Sequence, residues 1–222
     1  AIHPYLLVMV AVFNIILPLK CFLYKKIKLI QFVFYITIPF LLVILIWYGI
    51  GLIRFENNEA LEVHNSYGLF STNLNALLNA QGFSKFTPQL TFYKVNQYEG
   101  FSYLGFGFIL LIVFIIFYKV IFWKKTANIK LDKSKILFII AVLFLTLFAI
   151  TNQVTFNDKL LFEIPLPENV LKIGNIFRAS GRFIWVFYYS ILLFTLIYFS
   201  KLKINKYIQI TILTLTLGLQ LY

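Results

Sequence analysis

Six times in 222 residues the chain runs apolar for about the length needed to cross a bilayer, and that recurrence limits its folding options more than any other feature. The hydrocarbon core is about 30 Å thick and offers no water to backbone amides, so a segment crossing it must satisfy its own hydrogen bonds as a helix. The stretches are Tyr5–Leu23, Leu29–Ile53, Tyr103–Phe122, Ile136–Thr151, Phe183–Phe199 and Tyr207–Tyr222. They predict an all-α fold: a polytopic transmembrane helix bundle of about six spans, forming a single transmembrane domain over residues 1–222. The composition, 61% apolar with 26 phenylalanines, is not that of a soluble domain. Pro18 and Pro39 fall inside the first two spans, where a missing amide donor calls for a packed neighbour.

The connections between these stretches differ in charge, and the difference orients them. Three short ones, together with Lys20 and Lys119 in the span ends beside them, hold 13 basic residues against a single acid, Asp132. By the positive-inside rule these are cytoplasmic. The two longer ones, Arg54–Ser102 and Asn152–Arg182, hold seven basic and seven acidic residues and are the external loops. The formal charge of +12 therefore resides in lysines flanking spans, where it suits orientation and anionic headgroups, and predicts membrane lipids and no nucleic acid as partners. The lone Cys21 has no internal disulfide partner and is expected as a thiol near the cytoplasmic surface. A chain starting at Ala1 without a signal-peptide layout and stopping within an apolar run is expected to be a fragment of a longer protein, with both ends on the external side.

The external loops carry the polar chemistry. In the loop 54–102, "STNLNALLNAQG" spaces Leu74, Leu77 and Leu78 helically after Ser71 and Thr72 and ends on Gly82, predicting a short amphipathic helix lying on the membrane. Its function is either a packed cover or a lid over substrate. Upstream, "RFENNEALEVH" sets Glu56, Glu59 and Glu62 at intervals of three before His64, a pattern that suits either a divalent metal or a solvated turn. The loop closes on "NQYEGFSYLGFG", in which Glu99 stands between Tyr98 and Tyr103. That carboxylate is either half of a structural ion pair or a group that positions and activates an acceptor hydroxyl. His3, before Pro4, is an interfacial polar candidate.

Only three arginines occur among the 20 basic residues, all in the external loops, and two of them stand four positions apart in "FRASGRFIWVFYY". On a helix Arg178 and Arg182 would share a face, and with the Ser180 hydroxyl and the unobstructed backbone of Gly181 they would form a phosphate-binding site for an anionic lipid carrier. The alternative is an anchor to headgroups or a partner for Glu99. No Gly-rich nucleotide loop, CxxC, HExxH or nucleophile-elbow serine occurs, which removes the usual support for ATP-driven transport and common hydrolase chemistry.

With "IHPYLL", "NQYEGFSYLGFG" and "FRASGRFIWVFYY" on one face, the chain resembles a family of uncharacterised bacterial polytopic membrane proteins and, more distantly, the GT-C class of glycosyltransferases. The resemblance implies a multi-span protein of the bacterial cytoplasmic (inner) membrane, transferring a sugar from a polyprenyl-phosphate carrier to an external glycan acceptor. In that class an acidic residue of the first external loop serves as base, and here that loop is expected upstream of Ala1. A non-enzymatic lipid or saccharide transporter and a passive membrane assembly subunit stay open as alternatives. The expected cofactor is none, or a divalent metal on the glutamates.

Overall fold

A computed structural model describes residues 4–49, 67–122 and 132–221. The chain is mostly helical and divides into two compact units: Ala1–Asn65 with Leu131–Phe144, and Ser66–Lys130 with Leu145–Tyr222. Among the described residues three helices are long and apolar enough to cross a membrane, Tyr5–Leu23, Leu29–Gly49 and Ser180–Ser200, and Phe106–Ile121 and Lys135–Ile150 are shorter apolar helices. These features are consistent with a membrane protein.

The first unit is built on an antiparallel pair, α1 (Pro4–Leu23) and α2 (Leu29–Gly49), joined by a tight turn. Lys25 takes a left-handed φ of +54° there, and the amide of Lys26 closes the end of α1 on the carbonyl of Cys21 at 2.9 Å. Gln31 reaches back to accept the amide of Lys28 at 2.8 Å, satisfying one of the free donors at the start of α2. No residue of α2 is buried, as expected of an apolar helix whose solvent is lipid. Asp132 caps α4 (Lys133–Ile150) by accepting the amide of Lys135 at 2.9 Å, and Phe138 on that helix stacks on Phe13 of α1.

The second unit contains the end of α4, then α3 (Phe106–Ile121), α6 (Ile184–Ser200) and α7 (Lys206–Leu221), around Leu111, Ile115, Phe199 and Leu202. Helices α3 and α7 touch through backbone: a Cβ on Gly107 would collide with the carbonyl of Thr216, so only glycine permits this approach. The third helix starts at Phe106 instead of Tyr103, because Tyr103 and Leu104 belong to the loop before it, where the amide of Leu104 bonds the carbonyl of Leu77.

Two sequence expectations are corrected in this unit. The fold is not all-α: in the loop 152–182, β1 (Gln153–Phe156) and β2 (Lys159–Glu163) form an antiparallel hairpin, followed by the short helix α5 (Glu168–Asn175). Phe156 pairs with Lys159 across the two-residue turn Asn157–Asp158, and asparagine tolerates the left-handed φ of +51° that this turn imposes. An all-α assignment misses it because the strands are short and enclose little; Thr155 alone on them is buried.

The segment Ser71–Gly82 is a run of turns and not an amphipathic helix. Its burial is the reverse of the expectation: Asn73, Asn75 and Asn79 are enclosed while Leu74 and Leu78 are about half exposed, at 45% and 53%. The physical reason is competition for the backbone. Asn73 Oδ1 accepts the amide of Asn75, and Asn79 Oδ1 accepts the amides of Gln81 and Leu90, offering the chain local partners that a helix would have to displace.

Candidate functional site

The polar residues of the second unit gather where three segments meet backbone to backbone: 70–72, 99–100 and 180–182. The amide of Gly181 donates to the carbonyl of Phe70 at 2.8 Å, and the Thr72 hydroxyl donates to the carbonyl of Gly181 at 2.9 Å. A Cβ on Gly181 would lie 2.6 Å from the Phe70 oxygen and 3.2 Å from Gly100. Glycine at both positions lets the YEG and ASGR turns come into contact. Each turn is a short 3-10 helix, Val95–Gly100 and Ser180–Phe183.

That contact sets Arg182 against Glu99. Nε and Nη2 of Arg182 both donate to Oε2 of Glu99, at 2.8 and 2.5 Å, and the two side chains are 25% and 18% exposed. Because both donors converge on Oε2, the second carboxylate oxygen is left outside the pair. Of the two readings of these residues, the ion pair is the one the geometry assembles.

Arg178 and Arg182 do not share a helical face. The chain leaves α5 at Asn175 and passes through turns before the 3-10 helix, so four-residue spacing no longer sets two side chains side by side. Their flanking phenylalanines explain this path. Phe177 and Phe183 pack edge-on to each other and to Phe148, with centroids 5.1 to 5.9 Å apart. The motif thus turns its two aromatic ends inward, and Arg178 remains exposed with its guanidinium carbon 5.0 Å from the centre of the Phe70 ring. No carboxylate among the described residues pairs with it. Ser180 is fully buried with its hydroxyl unbonded, and Gly181 is enclosed with its amide already used. Of the four residues expected to hold a phosphate, Arg178 is the exposed one.

Tyr98 is half exposed, and Tyr103 is buried, its hydroxyl 2.8 Å from that of Thr87. His3, His64, Glu56, Glu59 and Glu62 lie outside the described residues. Among the described residues, no group of three His, Cys, Asp or Glu side chains is gathered to hold a metal.

The polar centre beside the pair was not anticipated. Gln97, 1% exposed, donates through Nε2 to Ser71 Oγ and Thr155 Oγ1 and accepts through Oε1 from Asn73 Nδ2 and the amides of Tyr93 and Lys94. Asn73 and Asn75 in turn clasp the hairpin tip at Asn157. Lys94 donates to Gln153 Oε1 and the carbonyl of Gly68, and burial holds its pKa below the usual lysine value against an opposing pull from Glu163. The sequence signal for this centre was the set of three asparagines between Ser71 and Gly82, residue types that favour turns over helix.

Comparison with protein families matches residues 1–222 to the profile of a domain of unknown function (DUF6311). The chain belongs to the DUF6311 family. Neither the curated proteins nor the solved structures compared with it give a match. The DUF6311 chain therefore brings no residue roles with its family, and the site's chemistry is argued from its own geometry.

Proposed function

We propose that this chain is a multi-pass protein of the bacterial cytoplasmic membrane, with six spans and with both its ends and its polar region, residues 67–105 and 151–183, on the external face. There it holds the phosphate of a polyprenyl-phosphate sugar for transfer to an external glycan acceptor. The topology is supported by the charge asymmetry of the connections and by apolar helices at five of the six stretches, three of them long enough to cross a membrane. The transferase reading rests on the more distant resemblance of the family, whose QYEGFSYLG and FRASGRF strings this chain carries, to the GT-C class. The single observation that carries the site is Arg178: an exposed guanidinium, held over an aromatic ring and free of any carboxylate among the described residues. A planar fork of donors in that state suits phosphate. Arg182 and Glu99 join the turn that presents it and are positioning residues.

The topology has a direct test. Reporter fusions at Lys26, Lys130 and Lys203 are expected to report cytoplasm, and fusions at Asn79 and Glu168 the exterior. A cytoplasmic Asn79 overturns the reading.

For the site, purified protein is titrated with a polyprenyl-phosphate sugar. Arg178→Lys keeps the charge but loses the fork, so affinity is expected to fall by roughly tenfold, and further in Arg178→Ala. Because the position is exposed and its one ring contact is weak, the thermal midpoint is expected to shift little. Wild-type binding by Arg178→Ala would sink the proposal. Binding without sugar transfer to any acceptor favours a transporter or an assembly subunit over an enzyme.

A further inference from the structure

In the first unit, α1 and α2 flank a cavity of about 740 Å³, a volume that accommodates a sizeable organic ligand. We propose that this cavity binds a membrane phospholipid with an anionic headgroup, Lys20 and Lys26 holding the phosphate and the apolar wall of Leu17, Pro18, Ile27 and Pro39 holding an acyl chain. It goes beyond the external site, from which it differs in residues and ligand.

Three observations define the occupant. The wall is mostly apolar, so in a bilayer hydrocarbon fills it at no cost in hydration. The rim is cationic: no carboxylate among the described residues pairs with Lys20 or Lys26, while Asp132, the acid lining the cavity, already caps α4 through the amide of Lys135. A wall that is apolar along its length and basic at one end matches a lipid of opposite charge.

The third observation concerns the polar groups among the lining residues. Each flanking helix contains a proline that lines the cavity, and proline has no amide to donate to the carbonyl four residues earlier. Those earlier residues are Asn14 and Tyr35, and both line the same cavity. The side-chain nitrogen of Asn14 is also buried with no hydrogen-bond partner among the described residues. An ester carbonyl of a glycerolipid would accept from that nitrogen, and a headgroup or glycerol hydroxyl would donate to a freed carbonyl. Along α1, Asn14 and Lys20 are about 9 Å apart at 1.5 Å per residue.

The test is native mass spectrometry of the full chain, purified in detergent and offered phosphatidylglycerol and phosphatidylcholine with the same acyl chains. Wild type is expected to retain phosphatidylglycerol roughly tenfold over phosphatidylcholine, since each lysine near an anionic headgroup contributes a favourable interaction. The pair Lys20→Gln and Lys26→Gln should erase the preference, and Lys20→Arg with Lys26→Arg should keep it. Leu17→Trp, which fills the wall, should lower retention of both lipids. Arg178→Ala should leave the preference intact, which separates this site from the external one. Equal retention of the two lipids by wild type, or a preference that survives the glutamine pair, overturns the proposal. So does displacement of phosphatidylglycerol by an equal concentration of glycerol phosphate, because a soluble anion would then suffice without the acyl chain.

Discussion

Gln97→Leu is expected to destabilise the polar region of residues 67–105 by about 3–5 kcal/mol, the largest effect of any single substitution considered for this chain. Leucine is close in volume but offers no hydrogen bond, and the position is 1% exposed, so water cannot replace what is lost. Asn73 Nδ2 keeps the Asn157 carbonyl, and Ser71 Oγ keeps that of Gly68. The Thr155 hydroxyl and the amide of Tyr93 lose Gln97, each at a cost of about 1–3 kcal/mol for a buried group left unsatisfied, and the amide of Lys94 loses a longer bond of 3.4 Å. Hydrogen exchange in detergent reads the effect. Amides of Thr72, Leu74 and Leu104, which bond to Ala149, Thr155 and Leu77, should exchange faster, while those inside α1 and α2 stay at wild-type rates. Wild-type exchange in all three would show that the network does not hold this region.

The second large effect concerns Arg182 and Glu99. Removing either partner leaves a charge that is mostly enclosed; for a fully buried pair the loss is about 3–5 kcal/mol. Exposures of 25% and 18% admit some solvent screening, which brings the expectation for Arg182→Ala or Glu99→Ala to roughly 2 kcal/mol. The double variant should be destabilised by less than the sum of the singles, since both singles lose the same ion pair. Arg182→Lys should retain part of the stability and, because Arg182 is committed to Glu99, should bind a polyprenyl-phosphate sugar nearly as well as wild type. Additive losses in the cycle would mean that the two charges do not interact. A Lys variant that folds normally but cannot bind the lipid phosphate would return Arg182 to the phosphate site.

The helices were legible because what specifies them is local. An apolar stretch such as Leu29–Ile53, helical over its described part Leu29–Gly49, carries its backbone partners within itself, so its helical state follows from composition and length. The hairpin at Gln153–Glu163 was less legible, since strands of four and five residues with little enclosed surface give a faint alternation, although the Asn157–Asp158 turn between them was present to be read. The segment Ser71–Gly82 misled because leucine spacing is judged by assuming that apolar residues face inward. Here the core it joins is polar, and the asparagines are the buried side.

The candidate site divides the same way. Sequence alone showed that two of the three arginines stand in FRASGR and that Glu99 of YEG was a possible partner for either of them, because residue type and charge need no coordinates. Only the tertiary structure decided that Arg182 meets Glu99 across 83 positions, that Arg178 is left exposed over Phe70, and that Ser180 is sealed inside. Those outcomes depend on Phe177 and Phe183 packing on Phe148, and on two glycines allowing backbones from distant segments to touch. Which of two nearby arginines finds a counter-charge is set by the direction in which the turn between them is forced to run, and that direction is imposed by packing with residues far away in the chain.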